Sequence, residues 1–189
     1  KPSYFLGTIV LTPGPEGTFE VADGQQRLAT TTILLAAIRD YFQDRNDHLL
    51  VQSLNDFLRT VVRETREIEP RLRLNIDDNE FFKNKILAEK GDPLRRSAMP
   101  SKPSHNLIAD AARIAGEHVQ RIIALHNDQN RVERLNQWVK YLEESALVIV
   151  LKVSDDLNAY VMFETLNDRG LRTSQADLVK NHLCALADD

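Results

Sequence analysis

The 189-residue chain has little of several features that mark particular protein classes. Its one cysteine, Cys184, excludes an internal disulfide and a thiolate metal cluster, and predicts the reducing cytoplasm as its compartment. No apolar run approaches the roughly 20 residues that span a bilayer, so no membrane role is expected. The 24 Lys and Arg residues stand against 28 Asp and Glu, a net charge of -4, which argues against a surface built for non-specific polyanion binding.

What is present is the composition of a globular domain, with 42% hydrophobic and 28% charged residues. The chain begins at Lys1, without a methionine and almost directly inside a predicted strand. This start indicates a fragment of a longer protein, with elements missing upstream or downstream.

Hydrophobic periodicity predicts many helices and few strands. Aromatic and β-branched residues predict strands over 4–11 and 18–22, joined by a turn-rich segment into a hairpin. The apolar run 146–153 predicts a central strand, buried on both faces, that pairs with this hairpin. We therefore expect an α+β fold, predominantly helical, with a small mixed sheet. Helices are predicted over 26–44, 48–68, 77–88 (capped by Asp77 or Asp78), 104–127 and 129–144, and a loop over 90–104.

The most informative stretch is Asp23-Gly24-Gln25-Gln26-Arg27, where a strand ends and a long helix begins. Unpaired amides and the positive dipole at a helix start favour an anion, and the glycine allows its close approach. Arg27 can add a bidentate, charge-assisted contact, and the Asp23 carboxylate can hold Mg²⁺. An alternative that needs no ligand is a capping box, with Asp23 as the N-cap and Gln26 as its partner.

A second polar motif follows the predicted strand at 146–153. Glu164 and Asn167 lie three residues apart on one predicted helical face, where their oxygens can hold a hydrated Mg²⁺ or a nucleotide. Arg169 and Lys180 can bring positive charge to the same place. The alternative is an ordinary helix end, with Gly170 as its C-terminal cap.

Together, YFLGTIVL followed by VADGQQRLATT, and FETLNDRGLRTSQADLVKN near the other end, strongly resemble one family. It is the DGQQR-containing N-terminal domain of GmrSD-type modification-dependent restriction endonucleases. The resemblance implies a core related to the ParB/sulfiredoxin fold. It also implies a motif that binds and hydrolyses nucleoside triphosphates to govern a nuclease in type IV restriction, an anti-phage defence.

Carried over by position, the resemblance covers Asp23, Gly24, Gln25, Gln26 and Arg27, which match the family signature in full, and it aligns Gly24 and Arg27 with the Gly-x-x-Arg phosphate contact of ParB-type CTPases. Together with the side-chain chemistry of both motifs, it leads to the following expected site. The expected catalytic residues are Asp23, Gln26 and Arg27. The expected nucleotide-binding residues are Gly24, Gln25, Gln26, Arg27, Asn167, Arg169 and Lys180. The expected Mg²⁺ ligands are Asp23, Glu164 and Asn167.

The two motifs also suggest a domain organisation. Segments 1–47 and 146–189 are expected to form the nucleotide-binding core, and 48–145 a helical insertion in which DNA recognition is expected. The family's Pro-x-x-Gln-Arg-x-x-x-Trp segment and its His-Asn-His nuclease domain are not in this sequence, so the nuclease is expected as a separate domain or subunit. Cleavage of DNA by this chain alone is therefore not expected.

The leading hypothesis is a domain that binds nucleoside triphosphate and Mg²⁺ and regulates cleavage of modified DNA, with assembly into an oligomer compatible with it. Two alternatives stay open. The anion bound at the first motif is a DNA phosphate, in which case the domain is a DNA sensor. Otherwise the chain is itself a metal-dependent nuclease that uses Asp23, Glu164 and Asn167.

Overall fold

The structure is a computed structural model that describes residues 3–63 and 65–154. Helices outweigh strands in it, so the predicted α+β, predominantly helical class is confirmed, while the relation to the ParB/sulfiredoxin fold stays a prediction. Every helix in the described part of the chain is too short or too polar to span a bilayer. The elements are β1 (Tyr4–Pro13), β2 (Phe19–Asp23), α1 (Gln25–Asp44), α2 (His48–Leu58), β3 (Arg59–Val61), β4 (Ile68–Pro70), α3 (Ile76–Phe82), a π-helical turn (Lys83–Leu87), α4 (Pro93–Ser97), α5 (Pro103–Ala124), α6 (Asp128–Glu144) and β5 (Ala146–Lys152).

The chain divides into two compact units. The first contains residues 1–27 and 143–189, and the second contains residues 28–142. The assignment of a nucleotide-binding core to 1–47 and 146–189, and of an insertion to 48–145, stays a prediction.

The described residues of the first unit form a three-stranded mixed sheet in the order β2-β1-β5. β1 and β2 form the predicted antiparallel hairpin, with Val10 opposite Asp23, and β5 runs parallel to β1, with Thr8 opposite Ile149. Of the three described strands, β1 is the one with neighbours on both sides, and its middle residues from Gly7 to Val10 are all buried.

The predicted position of β5 needs correction. β5 pairs with the hairpin as expected, but it lies at the edge of the described sheet and not at its centre. Leu147, Val148 and Val150 are each 42–50% exposed, so the strand is not buried on both faces. An apolar, β-branched run encodes an extended strand, but it does not encode how many strands or layers will cover it.

The second unit is helical and has two hydrophobic clusters. The larger one joins α1, α2, α5 and α6, and the smaller one joins α1 and α2 to α3 and its π-helical turn. The buried members of the first are Ile38, Tyr41, Phe42, Leu54, Val119, Ile123, Leu135 and Val139. The buried members of the second are Ile33, Ala36, Leu58, Phe82, Ile86 and Leu87.

The helix predicted over 48–68 is wrong beyond Leu58. There α2 ends and the chain forms the antiparallel hairpin of β3 and β4. Thr60, Val61 and Val62 are β-branched, which restricts their side-chain rotamers in a helix and suits an extended chain. Leu50, Leu54 and Leu58 keep helical spacing up to this point, so the sequence gives no clear sign that the helix ends there.

Two predicted helix boundaries also differ. The cap of α3 is Asn75, whose side chain accepts a hydrogen bond from the amide of Asp78 at 2.9 Å, and not Asp77 or Asp78. The loop expected over 90–104 contains α4, which Asp92 caps and Pro93 begins. Aspartate followed by proline is a regular helix start, which the density of prolines in this segment had masked.

The most buried charged side chain of the second unit is Arg39, on the inward face of α1, with no solvent exposure. Its guanidinium donates to the carbonyls of Leu87, Ala88 and Ile86 at 2.8, 3.0 and 3.2 Å and pairs with Asp40 at 2.9 Å. These carbonyls end the π-helical turn, where backbone acceptors lack helical partners. Burial lowers the pKa of Arg39 from its usual value, which reflects the cost of desolvating this charge.

The starts of α3 and α5 are joined by polar contacts. The Ser104 hydroxyl donates to the Asp78 carboxylate at 2.6 Å, and the His105 ring stacks on Phe81 with centroids 4.2 Å apart. Chiefly through the Ser104 hydrogen bond, and also through Asn75, the pKa of Asp78 lies below its ordinary value. The folded state therefore favours the ionised carboxylate.

This lowered pKa predicts a pH-dependent contribution to stability. Because folding lowers the pKa of Asp78, the contribution is present above the ordinary aspartate pKa of about 4 and is lost as the pH falls through the lower pKa of the folded state. Ser104→Ala is expected to reduce the free energy of unfolding by about 1 kcal/mol at pH 7 and by less at pH 3. Urea unfolding of both proteins at the two pH values measures this loss of stability. A loss at pH 3 that equals or exceeds the loss at pH 7 would contradict the prediction.

Candidate functional site

The turn from β2 into α1 is the first part of the candidate site. Asp23 is the last residue of β2, Gly24 follows with φ of +94°, and α1 begins at Gln25. A Cβ on Gly24 would lie 3.0 Å from Ile9 Cγ1 and 3.3 Å from the Thr8 carbonyl oxygen, so this buried position accepts only glycine without strain. The strand therefore turns into the helix within one residue.

Arg27 lies in the first turn of α1 and reaches back to β1. Its Nη1 donates to the backbone carbonyl of Thr8, two residues before Val10, which pairs with the last residue of β2. Within residues 3–63 and 65–154 the guanidinium has no carboxylate partner, and its Nε and Nη2 make no hydrogen bond. One N–H group of Arg27 is thus hydrogen-bonded within the protein. No described residue neutralises the positive charge of its guanidinium.

Asp23 is half-buried beside this guanidinium-bearing turn. In the described part of the chain its carboxylate has no hydrogen bond or ion pair, including none with the amide of Gln26. The capping box considered from the sequence is therefore not formed, because the residue before the helix is Gly24 and Asp23 still belongs to the strand. A carboxylate without a protein partner fits a cation ligand.

The two glutamines of the motif are exposed and differ in their contacts. Gln25 Nε2 donates to the carbonyl of Val21 at 2.6 Å, which joins the first helical residue to the middle of β2. Gln26 is exposed on the helix start, where a ligand can reach both its amide side chain and its backbone N–H.

The structure adds two residues that the sequence analysis did not place in the site. Gly7 packs against the Arg27 guanidinium, and the carbonyl of Thr8 accepts from it. The Thr8 side chain is fully buried, and its hydroxyl has no hydrogen-bond partner among the described residues. A glycine within a strand was the one available signal, because it often marks close approach of another group.

Of the predicted site, the structure brings together the residues from Asp23 to Arg27. Glu164, Asn167, Arg169 and Lys180 lie outside the described residues, so the predicted meeting of the two motifs stays a prediction. In the part of the chain that is described, no group of three or more His, Cys, Asp or Glu side chains forms a metal-binding cluster. Any such cluster at Asp23 would need ligands from elsewhere.

Comparison with known families decides the relationship that the two motifs indicated. The model of the GmrSD restriction endonuclease N-terminal domain matches residues 1–184, nearly the whole chain. The chain belongs to this family. The matched range includes the DGQQR turn and the second motif, so the GmrSD resemblance noted from those residues is confirmed.

Membership of the GmrSD N-terminal domain family places the chain in restriction-modification and defence, with DNA and a nuclease domain as partners of the system. Among curated proteins, no sequence matches the chain. The role of the DGQQR turn within the GmrSD domain is therefore addressed through its own geometry.

Proposed function

We propose that this GmrSD N-terminal domain binds a nucleoside triphosphate with Mg²⁺ at the turn from Asp23 to Arg27, and that binding controls DNA cleavage by the nuclease part of the system. The observation that carries the proposal is the Arg27 guanidinium, anchored on the Thr8 carbonyl beside the first amides of α1 and without a carboxylate partner in the described residues. A polyphosphate has the charge and the oxygens to accept from both sets of donors.

The Asp23 carboxylate suits the metal part of the proposal. Mg²⁺ is commonly held through one or two carboxylates together with substrate phosphates, and Asp23 has no competing partner in the described part of the chain. Glu164 and Asn167 are the proposed further ligands. Bound in this way, Mg²⁺ would offset phosphate charge that Arg27 alone does not neutralise.

Calorimetric titration of the protein with nucleoside triphosphates in Mg²⁺ tests the proposal. We expect saturable binding of a triphosphate and weaker binding of the matching monophosphate, because fewer phosphate oxygens meet the donors. Absence of binding by every common nucleoside triphosphate would overturn the proposal.

The DNA-sensing alternative makes a different prediction for the same turn. If the bound anion is a DNA phosphate, affinity for duplex DNA falls steeply with salt, and nucleotide does not compete. The overall charge of -4 favours a local polyphosphate over a long DNA backbone, and so does a turn that offers one guanidinium, that of Arg27, without a carboxylate partner in the described residues. Displacement of DNA by salt alone, with no effect of a triphosphate, would favour the alternative.

Asp23 gives a separate prediction about the metal. Adding Mg²⁺ is expected to raise the triphosphate affinity of the unmodified protein by about tenfold, and Asp23→Asn should abolish this gain because the amide lacks the negative charge. Titrations in Mg²⁺ and in EDTA measure the difference. Asp110→Asn, an exposed carboxylate on α5, is the control and should retain the gain. An undiminished Mg²⁺ effect in Asp23→Asn would show that the metal is held elsewhere.

A further inference from the structure

Gly7 lies at one of two irregular points in β1, the other being between Val10 and Leu11. The register between β1 and β5 shifts between Phe5 and Gly7, and Gly7 is buried with φ of +116°. That backbone conformation is strained for any residue with a Cβ. The DGQQR motif does not include this glycine, so its role needs a separate explanation.

The space beside Gly7 is filled by one side chain. A Cβ at this position would lie 3.0 Å from Arg27 Cζ and 3.3 Å from both Arg27 Nε and Nη1, and these are its three nearest neighbours. From the other side, a Cβ on Gly24 would lie 3.3 Å from Arg27 Nη1. The guanidinium therefore occupies part of the space that side chains at positions 7 and 24 would otherwise fill.

This packing determines which N–H groups of Arg27 are hydrogen-bonded within the protein. Nη1 is taken by the Thr8 carbonyl, the residue that follows Gly7. Nε and Nη2 are left without partners in the described part of the chain, and these two N–H groups form the edge of a guanidinium that binds an oxyanion in bidentate fashion. A guanidinium pushed off the backbone by a side chain at residue 7 would lose the Thr8 anchor and with it this orientation.

We propose that Gly7 is a positioning residue for the anion site: its missing side chain forms a slot that seats the Arg27 guanidinium on the Thr8 carbonyl and turns the Nε–Nη2 edge toward a phosphate. The seating of Arg27 concerns the protein alone, whereas the phosphate part rests on the proposed function. The two parts are therefore tested by separate measurements.

The first measurement is a thermal-unfolding cycle of Gly7→Ala with and without Arg27→Ala. Because every nearest neighbour of the added methyl belongs to Arg27, its truncation should relieve the clash and leave only backbone strain. The fall in Tm caused by Gly7→Ala should be smaller by about 3 °C or more in the Arg27→Ala background. If Gly7→Ala folds only in that background, the slot is likewise supported.

Gly17→Ala is the matched control for this cycle. Gly17 also has a positive φ, +74°, but a Cβ there would meet nothing within 4 Å. Its fall in Tm should be the same in both backgrounds. An equal fall for Gly7→Ala in both backgrounds, or failure of Gly7→Ala to fold in either, would overturn the slot.

The second measurement follows Arg27 directly. In the folded protein its guanidinium N–H resonances, assigned by their loss in Arg27→Ala, should be resolved by NMR because the Thr8 carbonyl restrains rotation, and Gly7→Ala should average them. Triphosphate affinity should fall about tenfold in Gly7→Ala and no further in the double variant than in Arg27→Ala. Unchanged Arg27 resonances in Gly7→Ala would overturn the inference.

These outcomes separate the inference from the proposed function. If the unmodified protein binds no triphosphate while the thermal cycle and the resonances behave as expected, the nucleotide proposal fails and the seating of Arg27 by Gly7 stands. If nucleotide binds but Gly7→Ala leaves affinity unchanged, the nucleotide proposal stands and the positioning role fails.

Discussion

Arg39→Met is expected to lower the free energy of unfolding by about 3–5 kcal/mol, because it removes a fully buried guanidinium that pairs with the largely buried Asp40. Arg39 is unexposed and donates to three consecutive carbonyls at the end of the π-helical turn. Methionine keeps the apolar stem and the helix propensity of α1 but leaves Asp40 with less compensation and a buried carbonyl without a donor. Urea denaturation monitored by circular dichroism measures the change.

The control for Arg39→Met is Arg113→Met on α5. Arg113 is exposed and pairs with Asp110 and Glu117 on the helix surface, where ion pairs contribute little to stability. Its unfolding midpoint should match that of the unmodified protein. If Arg39→Met is no less stable than Arg113→Met, the buried cluster does not support the helical unit.

Arg27→Ala is expected to weaken triphosphate binding by about 10- to 100-fold, the range that corresponds to losing a hydrogen bond from a charged donor. The Thr8 anchor leaves Nε and Nη2 for the ligand, and alanine removes both together with the charge. Arg27→Lys should recover only part of the affinity, since an ammonium is a point charge and not a planar fork. Calorimetric titration of the unmodified protein, Arg27→Ala and Arg27→Lys in Mg²⁺ measures the ratios of their triphosphate affinities.

A matched control for Arg27→Ala is Arg121→Ala, which removes a cation from the last turn of α5. It should bind triphosphate like the unmodified protein, so the loss is attributable to position and not to total charge. Equal affinity of Arg27→Ala and the unmodified protein would contradict a phosphate contact by this guanidinium.

Local sequence signals predicted the first motif well. A β-rich run, a turn-rich segment, a glycine and then a long amphipathic pattern correctly indicated the β1–β2 hairpin and the start of α1 within about two residues. These features depend on neighbours in the sequence. The α+β class followed from the same signals, because few strands and many helical periods were visible.

Features that depend on distant partners were not predictable in the same way. The position of β5 at the edge of the described sheet depends on which strands flank it, and the hairpin of β3 and β4 follows directly on the helical leucine spacing of α2. Arg39 reads as one polar residue on an apolar helix face, and nothing in the sequence shows that its acceptors are carbonyls almost fifty residues away. Tertiary packing decides all three.

The candidate site contains residues that the sequence predicts and residues that it does not. Asp23, Gly24 and Arg27 were found because glycine, carboxylate and guanidinium at a helix start share one chemistry. Gly7 and Thr8 were missed because they act through a backbone slot and a carbonyl, which any residue carries. Only the unusual placement of a glycine in a strand pointed to the first of them.

A crystal structure of the protein with a non-hydrolysable nucleoside triphosphate and Mg²⁺ tests the central claim most directly. The account predicts phosphate oxygens on the first amides of α1 and on Arg27 Nε and Nη2, with Mg²⁺ against the Asp23 carboxylate and Arg27 Nη1 still on the Thr8 carbonyl. A triphosphate bound away from the turn, with Arg27 making no contact to it, would contradict the account.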